Sequence, residues 1–115
     1  MADILTSITD LKKIIEENEF TFLEFTAPWC SQCKMMLPTI NQIEGEFSPK
    51  VRFLIVDTDK SPDISSEYAI QSLPTFIFFV KNEKKEMFQL RSKSHIQGLL
   101  NKYISGGKND WFNKY

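Results

Sequence analysis

Apolar and polar positions follow two rhythms along the chain, and the switches between them predict its elements. Asp3 to Leu5 reads as a short first strand. Ser7 to Asn18 has a helical period, with Leu11, Ile14 and Ile15 on one face and Lys12, Lys13, Glu16 and Glu17 off it. Ser7 and Asp10 form a capping pair at its start. Phe20 to Thr26 is aromatic and β-favouring and reads as a strand. A helix is expected from about Cys30 to Phe47, interrupted by Pro38, with Leu37, Ile40, Ile43 and Phe47 on its apolar face and Glu44 on the margin. Val51 to Asp57 has the continuous apolar run of a buried parallel strand. Ser61-Pro62 then supplies an N-cap and first helical position for a short helix to about Tyr68.

The last third reads differently. Thr75 to Val80 is an apolar strand, Lys81 to Lys85 a polar turn, and Glu86 to Leu90 the hairpin partner. In the final helix Ile96, Leu99, Leu100, Tyr103 and Ile104 recur at helical spacing, Ser94 and Gln97 pair as a capping box, and Gly106 stops it. The order β-α-β-α-β-α-β-β-α implies an α/β domain with helices on both faces of a mixed sheet. No internal repeat or Gly/Ser linker divides the chain, so a single domain over 1–105 is expected, followed by a tail at 106–115.

Composition narrows the function classes. With 14 basic against 15 acidic residues, the chain has no basic excess with which to bind nucleic acid or an anionic membrane. Its longest uninterrupted apolar run, Phe76 to Val80, is too short to cross a bilayer. The opening Met-Ala-Asp-Ile-Leu-Thr has no basic region before a long apolar run, so no secretory signal is expected and the expected location is cytoplasmic. The 2 Cys cannot make a disulfide scaffold, and with the 1 His they cannot alone fill a four-coordinate zinc site. In a reducing compartment a Cys pair points to catalysis or metal binding rather than to a structural staple.

Cys30 and Cys33 form a C-x-x-C where a strand gives way to a helix. Unpaired N–H groups and the helix dipole at such a junction favour a negative sulfur. A thiol pKa lowered from about 8.5 toward 7 raises the thiolate share at neutral pH from a few per cent to about half. Cys30, at the open end, is assigned as attacking nucleophile. Cys33, one turn in and more covered, is the resolving thiol that leaves a Cys30–Cys33 disulfide.

The stretch Glu24-Phe25-Thr26-Ala27-Pro28-Trp29-Cys30-Ser31-Gln32-Cys33-Lys34 resembles the active-site segment of the thioredoxin superfamily. Pro38 stands where that family kinks its active-site helix, and Ser72-Leu73-Pro74-Thr75-Phe76 is similar to its cis-proline loop. The resemblance runs in family order from about Asp3 to Ser105. It implies a thioredoxin fold, a mixed five-stranded sheet flanked by four helices, and a protein disulfide reductase that needs no bound cofactor and no metal. It also implies that Trp29 lines the substrate groove, that Pro74 is cis beside the sulfurs, and that the Leu73 backbone pairs with an extended substrate segment. Glu24 stands at the position of the family's buried acid, where desolvation would raise its pKa and let it take the proton of Cys33. The implied partners are protein disulfides and a thioredoxin-reductase-like electron donor that uses NADPH. The enzyme is expected to be a monomer.

Departures from the family pattern are equally specific. Ser31 and Gln32, the pair that tunes the reduction potential, are neither Gly-Pro nor Gly-His. Ile55 stands where a lysine often accompanies the buried acid, and Arg91 stands at about the position of a groove glycine, where a cation narrows the groove or favours acidic partners. Asn82 is expected to take the left-handed conformation in the late hairpin turn. His95 beside the last helix reads as a solvated residue. The rival class is a redox-inactive adaptor that uses the groove or the tail, with its Trp111, Phe112 and Tyr115, for protein contacts.

Overall fold

A computed structural model describes residues 2–106 of the chain. The elements follow in the order β1 (Asp3–Leu5), α1 (Ile8–Glu17), β2 (Phe20–Thr26), α2 (Ser31–Phe47), β3 (Val51–Asp57), α3 (Pro62–Glu67), β4 (Thr75–Val80), β5 (Glu83–Phe88) and α4 (Lys93–Ile104). They form one five-stranded sheet in the order β1-β3-β2-β4-β5. β1, β3 and β2 run parallel, while β4 and β5 pair antiparallel. The tail residues Trp111, Phe112 and Tyr115 lie outside the described residues.

Side-chain parity divides the core, because successive strand residues point to opposite faces. Phe20, Phe22, Phe53, Phe76 and Phe78 pack with Ile40 and Ile43 of α2 and Ile96 and Leu100 of α4. Leu23, Phe25, Leu54, Val56, Ile77 and Phe79 pack on the other face with Leu11 and Ile15 of α1 and Ile64 of α3. Glu24 has the parity of Phe20 and Phe22, so the strand delivers it to the α2 face.

Four local expectations are corrected. Val80 pairs with Glu83, leaving a two-residue turn at Lys81-Asn82, so β5 begins at Glu83 inside the polar run read as a turn. That run stays polar because β5 is an edge strand, and charged side chains there guard its open backbone. The left-handed residue of the turn is Lys81, at φ 56°, rather than Asn82. The cap of α4 is Ser92, whose hydroxyl accepts from the His95 amide at 3.2 Å, so the Ser94–Gln97 box does not form. In α2 the apolar stripe is Cys33, Met36, Ile40 and Ile43, and Leu37, about 100° round the helix from Met36, is 46% exposed.

Candidate functional site

β2 ends at Thr26, and Ala27-Pro28-Trp29 turns the chain into α2 with Cys30 as its N-cap. The Cys30 amide donates to the Ala27 carbonyl at 3.1 Å, which closes the turn. The Cys33 amide donates to the Cys30 sulfur at 3.1 Å. One of the helix's orphan N–H groups is thus spent on the sulfur, the arrangement that lowers a thiol pKa. Cys30 and Cys33 are joined as a disulfide with Cα atoms 5.3 Å apart.

Cys30 is less open than its position at the helix end implied. It is 6% exposed, against 4% for Cys33. Ala27 and Leu73 pack against the Cys pair. The Leu73–Pro74 bond is cis, Pro74 is buried, and the Thr75 hydroxyl closes the loop by donating to the Ser72 carbonyl at 2.6 Å. Sequence-distant Leu73 therefore meets the Cys pair directly.

Trp29 is 68% exposed, an unusual state for so large an apolar side chain. Its indole N–H donates to the Asp59 carboxylate, at 3.1 Å and 3.3 Å to the two oxygens. Asp59 is itself placed by Asp57, whose Oδ1 accepts from the amides of Asp59 and Lys60. Neither aspartate was singled out in the sequence. The signal was Asp57-Thr58-Asp59 at the carboxyl end of a parallel strand, the end where α/β proteins place their sites.

Glu24 is 3% exposed, and its Oε1 has no hydrogen-bond partner. Burial pushes its pKa up from 4.5 to about 7. It shares a cavity of about 220 Å³ with Cys33, Lys34, Leu37, Ile55 and Asp57. A largely apolar cavity of that size, with Glu24, Lys34 and Asp57 on its lining, has room for water to carry a proton between Glu24 and Cys33. Arg91 is exposed, with its guanidinium 5.9 Å from the Phe88 ring centroid and bonded to the Leu90 carbonyl. His95 is exposed at the start of α4. Among the described residues no cluster of three or more His, Cys, Asp or Glu side chains is placed to hold a metal ion, and no helix is long and apolar enough to cross a membrane.

A cysteine pair at a helix start, facing a proline loop and backed by a buried acid, is what a dithiol–disulfide exchanger requires. The thioredoxin family model matches residues 4–102. The chain belongs to the thioredoxin family. A thioredoxin of Rickettsia felis is 35% identical over 105 residues, covering 90% of this chain and all of that one. The M-type chloroplastic thioredoxin of Spinacia oleracea is 35% identical over 96 residues, 82% of this chain and 53% of that protein. The crystal structure of thioredoxin from Trypanosoma brucei brucei superposes with a TM-score of 0.84 at 28% identity, covering 91% of this chain and 92% of that one. The fold is the thioredoxin fold, and the chain is a thioredoxin-type protein disulfide reductase. Thioredoxin family membership brings with it protein disulfide substrates and a reductase partner.

Proposed function

We propose that this thioredoxin acts as a cytoplasmic, monomeric reductant of protein disulfides, with residues 1–105 as the working domain and 106–115 as a tail. Cys30 is the nucleophile. Its thiolate attacks one sulfur of a substrate disulfide, the substrate S–S bond breaks, and the departing substrate thiolate takes a proton. A Cys30–substrate mixed disulfide remains. Cys33 then loses its proton to Glu24, and its thiolate attacks the Cys30 sulfur. The second substrate thiol leaves, and the Cys30–Cys33 disulfide holds the oxidation equivalent. Two electrons have passed to the substrate, and a thioredoxin-reductase-like partner, itself drawing on NADPH, returns them.

The observation that carries this reading is the shared setting of the pair. The Cys33 amide donates to the Cys30 sulfur, and Cys33 opens on the same cavity as an unpartnered buried carboxyl. The groove residues are part of the same reading. Leu73, which packs against the Cys pair, and the adjoining cis Pro74 offer their loop backbone to a substrate strand, and Trp29, hydrogen-bonded to Asp59, lines the same groove. Arg91, with no ion pair among the described residues, biases the groove toward acidic substrate segments.

Insulin reduction with dithiothreitol as donor tests the activity. Turnover is expected in the wild type and absent in Cys30→Ser. A wild type as inert as Cys30→Ser would instead favour an adaptor that uses the groove for binding. Cys33→Ser is expected to accumulate a mixed disulfide through Cys30, and the captured chain names the substrate. Fractionation of the source cell tests the location.

A further inference from the structure

A cavity of about 440 Å³ lies between α4 and the edge strand β5, lined by Glu86, Ser94, His95, Gly98, Leu99 and Lys102. It shares no residue with the Glu24–Cys33 cavity. Gly98 stands in the middle of α4, where glycine is a poorer helix former than any residue but proline. Nothing around it demands a glycine. It does not take a positive φ, and a Cβ placed there would meet no atom within 4 Å. The helix gives up propensity and leaves bare backbone on the cavity. Leu99 is half-buried beside it, and Lys102 brings a hydrocarbon stem. Glu86 accepts from the Tyr103 hydroxyl through Oε2, and its Oε1 accepts nothing from the described residues. A flat ring with one hydrogen-bond donor suits such a lining.

The chain beyond α4 carries that ring. Gly106 takes a left-handed φ of 64° and its amide donates to the Tyr103 carbonyl at 3.0 Å, so the chain leaves the helix axis there. Residues 107–115 read Gly-Lys-Asn-Asp-Trp-Phe-Asn-Lys-Tyr. Gly98 lies back along α4 from Gly106 by about 12 Å, at a rise of about 1.5 Å per residue. Trp111 follows Gly106 closely enough in the chain to reach up to about 17 Å from it.

We propose that residues 107–115 fold back along α4 and that Trp111 seats its ring over Gly98 in this cavity. Its indole N–H then has the open oxygen of Glu86 as acceptor. Asp110, the one acidic residue of the segment, comes beside Lys102, which makes no ion pair among the described residues. A tryptophan ring carries a large apolar area with a single polar handle, and a glycine on a helix face lets such a ring approach the backbone closely. The segment is then a cover for its own domain, and its aromatic residues are not a free docking element for other proteins.

The test reads Trp111 by its fluorescence in the full-length chain. The chain holds 2 Trp, so Trp29→Phe, at an exposed position, leaves Trp111 as the only indole emitter. Emission of the folded protein is expected to lie to the blue of the same chain in urea. Gly98→Gln, which fills the cavity from the helix side, is expected to return it toward the urea position. Folded protein that emits like the urea sample from the start would overturn the docking. Blue emission that ignores Gly98→Gln would seat Trp111 elsewhere and overturn the assignment. A blue shift that grows with protein concentration would place the segment on a second copy, again against the proposal. Urea unfolding followed by helix circular dichroism gives an independent readout. With Trp111→Ala, Gly98→Gln is expected to lower the unfolding constant about threefold, the gain of an ordinary helix former over glycine. With Trp111 in place that gain is expected to shrink by at least about twofold, because the new side chain displaces the ring. The same factor in both backgrounds would overturn the contact between residues 98 and 111.

Discussion

Glu24→Gln isolates the energetic consequence of burying the acid. The folded state holds the Glu24 proton until about pH 7, whereas an unburied Glu ordinarily releases it near 4.5. Between those values the folded chain carries a proton that the unfolded chain has released, so stability falls as pH rises, at about 1.36 kcal/mol per pH unit. The contribution of the protonated acid is fully present below pH 4.5 and lost by about pH 7, above which both states are ionised and the difference is constant. Over the interval from pH 5 to pH 8 the loss amounts to about 2.5 kcal/mol. That is a sizeable share of the roughly 5–15 kcal/mol that holds a domain folded. The assay is urea unfolding of oxidised wild type and oxidised Glu24→Gln at half-unit steps across this range. In the oxidised form the cysteines do not titrate, and all groups other than residue 24 are common to both proteins. The wild type should lose about 2.5 kcal/mol relative to the variant from pH 5 to pH 8, whatever constant offset the amide introduces. A wild-type-minus-variant difference that stays flat across this range would refute the burial argument and remove the energetic basis for Glu24 as a near-neutral base.

Four further substitutions probe three separate parts of the molecule. Asp59→Ala releases the Trp29 indole, and kcat/KM for protein disulfides should drop about fivefold, the kinetic equivalent of about 1 kcal/mol, with stability changed by less than about 1 kcal/mol. Equal kcat/KM in both proteins would deny the clamp a role in the groove. Ser92→Ala should destabilise the fold by about 1 kcal/mol in chemical denaturation, whereas Ser94→Ala should change it by no more than a few tenths, and the reverse order would restore the capping box to Ser94. Tyr103→Phe removes the hydroxyl that donates to Glu86, a bond that with burial pushes the phenol up to about 12, and should cost about 1 kcal/mol at pH 7. Because the folded state retains that proton above the ordinary tyrosine value of 10.0, the advantage of the wild type should shrink as pH rises from there toward 12, and a constant difference would contradict the assignment.

The fold was legible because its signals are periodic and local. Parallel-strand runs, helical stripes and a capping serine at Ser7 each announce themselves within a few residues, and the Ser7 hydroxyl does accept from the Asp10 amide. Errors fell where tertiary position decides the sequence. β5 looks like a loop because an edge strand is written in lysine and glutamate, and Leu37 looks like core because its neighbour Met36 takes the inward direction. At the site, Cys30, Cys33, Trp29 and Pro74 stand in recognisable strings of sequence. Asp57 and Asp59 do not, because they act through backbone amides and an indole 30 residues away. The Trp29–Asp59 contact exists only once β3 lies beside β2.

Glu24 shows why parity matters more than residue type here. A glutamate in a strand is ordinarily read as a solvent-facing residue, and one step along β2 in either direction would put it among Leu23 and Phe25 and the α1 and α3 side chains. The even position sends it under the first turns of α2, where Cys33 also points inward. An apolar residue at 24 would pack there without the penalty of ionisation. The acid stands where it destabilises the fold at neutral pH, on a cavity that Cys33 also lines. Local destabilisation concentrated beside the reactive group is the expected mark of a site shaped by chemistry rather than by packing.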